Sequence, residues 1–244
     1  MQYLNELLWL VMLLVNFSAI LFAYRVWGRL GLYIFVPIAS IVANIQVLKM
    51  VDLFGFQAAT LGNIVYASSF LITDILSENY GKKEARKAVA IGFFSLIITM
   101  VLMTIALRFQ PAESDWVQES MQTIFGYLPR IVIASLLAYL VAQLHDIWAY
   151  GFWHKITPAT KFIFLRNNLS TMVSQFLDTA IFTFVAFTSC LGLWKQTEEL
   201  PTDVILSIFI STYVIKWVVA ALDTPFLYIA AFWKKNGSIP EQSL

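Results

Sequence analysis

A run of apolar residues near position 178 carries groups that a bilayer tolerates poorly. The stretch Asn167–Phe187, NNLSTMVSQFLDTAIFTFVAF, has the composition of a membrane-crossing helix, yet it includes Asn168, Ser170, Gln175 and Asp178. Polar and ionisable groups at membrane depth cost several kcal/mol unless they meet protein, water or a ligand. Thr171, Gln175 and Asp178 fall on one helical face, so they can share a wall. Other apolar runs carry Asn44 and Gln46, Asp74 and Glu78, Gln143 and Asp146, and Lys216 and Asp223. Carboxylates and carboxamides converging between helices bind small solutes with a hydrogen-bonding edge. The competing reading is structural: Asp178 and Lys216 neutralise each other, and the Asn and Gln side chains tie helices together.

The elements that position these groups follow from composition. The chain has 244 residues, of which 59% are hydrophobic and 13% charged, with a mean hydropathy of +0.74. Soluble domains are rarely so apolar. Seven stretches, 4–26, 32–50, 59–76, 88–107, 128–148, 162–191 and 204–233, are expected to cross the membrane, each crossing taking about 20 helical residues. The expected fold is a single-domain, all-α polytopic membrane bundle of about seven helices. The first stretch lacks the leading positive charge of a signal peptide and is read as a retained helix. The fourth is almost purely apolar and is expected to face lipid. Residues 80–87 and 150–161 are expected to form connections. The seventh is long enough that it must tilt or break, with Pro225 as the break point. Trp9, Trp27, Trp148 and Trp233 read as interface anchors.

Charge sets the expected orientation. Arg25, Arg29, Lys82, Lys83, Arg86, Lys87, Lys155, Lys161, Arg166, Lys234 and Lys235 fall in alternate connections and the tail, whereas Lys49, Arg108, Arg130 and Lys195 fall in the others. The positive-inside rule then places the N-terminus outside and the C-terminus in the cytoplasm. Glu78, Asp146 and Arg166 share a depth near the basic side, where ion pairing would close that end. The single cysteine, Cys190, and two histidines offer neither a disulfide nor a metal-ligand set. No phosphate loop, zinc-hydrolase or nucleophile-elbow motif is present, so neither a cofactor nor an enzyme is expected. A net charge of +1 gives no reason to expect a nucleic-acid partner.

Four segments carry a family resemblance. They are ANIQVLKMVDLFG (Ala43–Gly55), LITDILSENYGKKEARKAVAIG (Leu71–Gly92), ASLLAYLVAQLHD (Ala134–Asp146) and LRNNLSTMVSQFLDTAIFTFVAF (Leu165–Phe187). In order and spacing they resemble the queuosine precursor transporters of the vitamin-uptake type, over roughly Ile41 to Val219. The resemblance implies uptake of 7-deazaguanines such as preQ0, preQ1 or queuine. It implies a six-helix core like the binding subunits of energy-coupling-factor transporters, here with an extra N-terminal helix and working without the ATPase module. A binding subunit of a multi-component importer, or a carrier of another small polar solute, is the alternative. The family pattern points to Asn44, Asp74, Gln143, Asn168, Gln175, Asp178 and Lys216 as substrate-binding residues. Glu78, Asp146 and Arg166 are left as gating or structural ion pairs. Phe70, Phe176 and Phe182 are candidates to stack on a base. The expected partners are the base and the lipid bilayer of the cell membrane, with a homodimer left open.

Overall fold

In the computed structural model, residues 3–157, 163–188 and 201–240 are described, apart from the side chains of 57, 58, 164–168 and 171. Among them are α1 (Leu4–Gln46), β1 (Met50–Leu53), β2 (Phe56–Thr60), α2 (Asn63–Tyr80), α3 (Lys82–Ala106), α4 (Gln118–Phe125), α5 (Leu128–Ile156), α6 (Ile163–Phe187) and α7 (Thr202–Lys235). Leu4–Gln46, Lys82–Ala106, Gln118–Ile156 and Thr202–Lys235 are long and apolar enough to cross a membrane.

The first helix is not a rod. A straight helix of 43 residues would extend about 65 Å. Instead Asn5 Nδ2 donates to the Asp52 carbonyl at 3.0 Å, the Phe54 amide donates to Glu6 at 3.3 Å, and Trp9 meets the Phe54 ring edge-on at 5.3 Å. The chain doubles back at Gly28, where φ is 56° and ψ is −140°. Glycine is required there twice over. Its φ lies in the left-handed region, and a Cβ would sit 2.6 Å from the Pro240 carbonyl oxygen. Gly31 lets the returning arm approach, since a Cβ there would lie 2.1 Å from the Ala23 carbonyl oxygen. The C-terminal segment closes this bend, with Ile239 buried beside it. Trp9 is therefore a packed residue and not an interface anchor.

The helices and the apolar stretches do not coincide. The basic residues 82–87 form the opening turns of α3, and the connection before them is Gly81 alone, at φ 87°. α5 continues through the aromatic run to Ile156. Pro225 does not break α7, which passes through it as one helix of 34 residues; at about 51 Å it exceeds a hydrocarbon core of roughly 30 Å and must tilt or protrude. An all-α fold was expected, but β1 and β2 form an antiparallel hairpin, with Leu53 paired to Phe56. Phe54 and Gly55 both take positive φ, 51° and 80°, as a two-residue hairpin turn demands. Asn-Gly or Asp-Gly is the usual signal, and Phe-Gly does not announce it. The acidic connection also holds the short α4, which buries none of its residues.

The arrangement inverts a soluble core. α2 packs against α1, α3, α5 and α7. Every residue from Asn63 to Leu76 is buried except Tyr66, which is half-buried. Ser68, Ser69, Thr73 and Asp74 lie in that enclosed part. The apolar α3 buries only Ala85, Ala88, Val89, Gly92 and Leu96 and turns large side chains such as Phe94 and Leu102 outward. Polar helix inside and apolar helix outside is the packing of a membrane bundle.

One end of the bundle gathers the basic segments. Arg29 lies 3.6 Å and Lys87 2.9 Å from Glu84, while Arg25 covers Trp233 and Lys234 covers Tyr80. The β-hairpin marks the opposite end. Substituting Gly28→Ala is expected to destabilise the protein by more than 1–2 kcal/mol, the cost of a Cβ in the left-handed region alone. Gly237→Ala supplies that baseline, because Gly237 has φ 64° and open space around it. Thermal unfolding of the two purified variants checks this; equal losses would mean that the tail does not brace the bend.

Candidate functional site

The site is built on a buried charge. Asp178 of α6 has 1% of its surface exposed and Lys216 of α7 has 3%. Lys216 Nζ donates to Asp178 Oδ2, and the Tyr66 hydroxyl of α2 donates to Asp178 Oδ1. The Lys216 ammonium also lies 4.7 Å from the centre of the Tyr66 ring, a cation–π contact in a dry setting. Three helices thus converge on one carboxylate. Tyr66 is itself held by edge-on contacts with Phe70 and Tyr139 at 6.1 and 5.8 Å.

This triad forms one wall of a cavity of about 30 Å³, lined also by Asn44, Asn63, Ser135 and Phe182, with Ala43, Val47 and Gly62 closing the gaps. That volume holds a water or two. The cavity lies toward the hairpin end. Asn63 donates to Thr60 of β2 at 2.8 Å and to Thr212 of α7 at 3.4 Å, so the hairpin is pinned over it. Asn44 donates to the Ser40 carbonyl at 2.8 Å. Its Oδ1 is buried and finds no hydrogen-bond partner among the described residues.

Of the residues singled out in the sequence, Asn44, Asp178 and Lys216 meet at this cavity. Gln175 is fully buried one turn before Asp178, and neither atom of its carboxamide is hydrogen-bonded among the described residues. Gln143 ties two helices, accepting from Thr73 at 3.1 Å and lying 3.4 Å from Ser69 Oγ. Asp74 belongs to a separate layer, with Asp146, Asp223 and Glu78 close by. Glu78 accepts from the Tyr150 hydroxyl at 2.9 Å and lies 3.3 Å from His154 Nδ1. Arg166 and Asn168 lie outside the described side chains. Of the stacking candidates, Phe182 lines the cavity, Phe70 supports Tyr66 from behind, and Phe176 turns away to meet Phe209 and Tyr213 at 5.8 and 5.5 Å.

Tyr66, Asn63 and Ser135 went unnoticed in the sequence. Tyr66 is one of ten tyrosines, and nothing in its local context marks it. Asn63 sits at the mouth of an apolar run and carried the same signal as Asn44.

A family model described as "Putative vitamin uptake transporter" matches residues 60–230. The chain belongs to that family. A Bacillus subtilis (strain 168) protein named "Probable queuosine precursor transporter" is 43% identical over 226 residues, covering 93% of this chain and 94% of its own length. A Haemophilus influenzae (strain ATCC 51907 / DSM 11121 / KW20 / Rd) protein of the same name is 28% identical over 138 residues, or 55% of this chain and 54% of its own. No solved structure matches the chain. Membership in a transporter family, together with the long apolar helices, makes this a multi-pass membrane protein that carries solutes and is not an enzyme. The part shared with the vitamin uptake transporter model begins at Thr60. It therefore contains Tyr66, Asp178 and Lys216 but not α1.

Removing one partner of a buried ion pair strands the other, at a cost of about 3–5 kcal/mol. Lys216→Met is thus expected to lower the thermal stability of the protein strongly. Lys216→Met combined with Asp178→Asn is expected to recover much of that loss. Melting curves of the single and double variants check the coupling; simple additivity would show that the pair does not carry the stability.

Proposed function

We propose that the protein imports queuosine precursors, planar 7-deazaguanine bases, across the cell membrane. The observation that carries this reading is Asp178, a buried carboxylate facing a cavity beside an aromatic ring. The name borne by the relative that is 43% identical supports it. A 7-deazaguanine presents N–H donors at N1 and N2 on one edge and an acceptor at O6. One carboxylate accepts both donors, each charge-assisted bond contributing roughly 1.5–3 kcal/mol. Lys216 and Tyr66 now hold the two oxygens of Asp178, so the base takes positions those side chains vacate. The freed ammonium then answers O6, and Asn44 Oδ1 accepts a remaining N–H. Phe182 supplies a face for stacking. A cavity of about 30 Å³ is far too small for a bicyclic base, so binding must part α6 and α7 from α1 and α2. Such an opening is what a carrier needs in order to expose its site alternately.

The topology we favour has seven crossings: the two arms of α1, then α2, α3, α5, α6 and α7. The basic end faces the cytoplasm, leaving the N-terminus outside and the C-terminus inside. The gathering of Arg25, Arg29, Lys87 and Lys234 at one end supports this. A cysteine placed at Ser114, with Cys190 replaced by serine, is expected to react with an impermeant reagent in intact cells, and one at Lys83 is not. The reverse pattern inverts the topology.

Binding of preQ0, preQ1, queuine and guanine to the purified protein tests the substrate. Asp178→Asn keeps the shape but turns one acceptor into a donor opposite an N–H of the base. Affinity is expected to fall by about 2–4 kcal/mol, or 30- to 1,000-fold. Unchanged affinity in the folded variant would remove Asp178 from the site. Uptake by this chain alone, in a host without other carriers of the base, separates a self-sufficient transporter from a binding subunit.

A further inference from the structure

A second cavity, of about 350 Å³, opens at the basic end where α2 meets α3 and α5 passes beside them. Glu78, Tyr80, Lys82, Tyr150, His154 and Lys155 surround it. Its chemistry repeats that of the Asp178 site. There, a carboxylate is held by a tyrosine hydroxyl and an ammonium. Here, the Tyr150 hydroxyl at 2.9 Å and His154 at 3.3 Å both meet the Glu78 carboxylate, at its one oxygen Oε2. Glu78 is nearly enclosed, with 11% of its side chain exposed, whereas His154 at 42% reaches toward solvent. Tyr80 offers an aromatic wall, and Lys82 and Lys155 place ammonium donors at the rim. The volume lies within the usual range for small-ligand pockets, roughly 300–1,000 Å³.

The two sites are joined by one helix. Tyr66 and Glu78 both belong to α2 and are twelve residues apart, about 18 Å along the axis. Between them lie Ser69 and Thr73, which bond Gln143 of α5, and Asp74, which lies close to Asp146 of the same helix. A polar line thus runs inside the bundle from one carboxylate to the other.

We propose that the cleft around Glu78 is a second binding station for the same planar, donor-edged base, occupied at the basic end of the path. The inference rests on the reading of the ligand as a 7-deazaguanine. The N–H edge of the base exchanges with Tyr150 and His154 on Glu78, as it exchanges with Tyr66 and Lys216 on Asp178. The rim ammonium groups meet its O6. Because those amines repel cations, the station suits a neutral base.

Equilibrium dialysis of the full-length protein in nanodiscs against 7-cyano-7-deazaguanine, carried to millimolar ligand, counts the sites. Two sites per chain are expected. Asp178→Asn is expected to leave one of them intact, and Glu78→Gln to abolish the other while the first keeps its affinity. Tyr150→Phe, which removes the hydroxyl that the base must displace from Glu78, is expected to strengthen the second site about five- to ten-fold and serves should Glu78→Gln fail to fold. One site per chain, sensitive to Asp178→Asn and indifferent to Glu78→Gln and Tyr150→Phe, overturns the station and leaves the proposed function standing. No binding by the unsubstituted protein overturns both.

Discussion

A carboxylate and an ammonium, each shielded from water, coexist inside a bilayer only if they face one another. Asp178 and Lys216 do so, and Tyr66 completes the shell around the carboxylate. Much of the bundle can be understood as what that arrangement needs. α6 and α7 must lie side by side to bring the two charges together, and α2 must pass close to both. Because α2 carries hydroxyl, carboxamide and carboxyl groups, it has to be wrapped. α1, α3 and α5 provide the wrapping, with apolar flanks turned outward.

The same constraint explains the polar layers along α2. Lipid cannot satisfy Ser69, Thr73 or Gln143, so they bond to each other across the α2–α5 contact. Asp74 meets Asp146 and lies near Asp223, three carboxyl groups from three helices in one layer. Glu78 uses Tyr150 and His154 instead, close to the basic end.

The ends of the bundle are closed by unlike means. At one, a β-hairpin made possible by two left-handed residues is pinned to α7 through Asn63 and lies above the Asp178 cavity. At the other, the bend at Gly28 is stopped by the C-terminal segment, and Glu84 collects Arg29, Lys87 and Tyr33.

The sequence by itself determined the class of the molecule. Apolar runs of crossing length admit few other folds, because only helices and closed barrels satisfy their own backbone in lipid. It also singled out Asp178 and Lys216, since charges within such runs are rare enough to stand out. Tyrosine is common in membrane proteins, so Tyr66 could not be distinguished from the others by type or spacing. The β-hairpin was hidden for a similar reason: its turn depends on backbone angles at Phe54 and Gly55 that the residue types only weakly suggest. The packing of helices decided the rest. Whether Gln143 lines a pocket or ties α5 to α2, and whether Glu78 comes within reach of Tyr150 and His154, depends on helix rotation and depth. Those are set by side-chain contacts summed over the whole bundle, and no local stretch of sequence contains them.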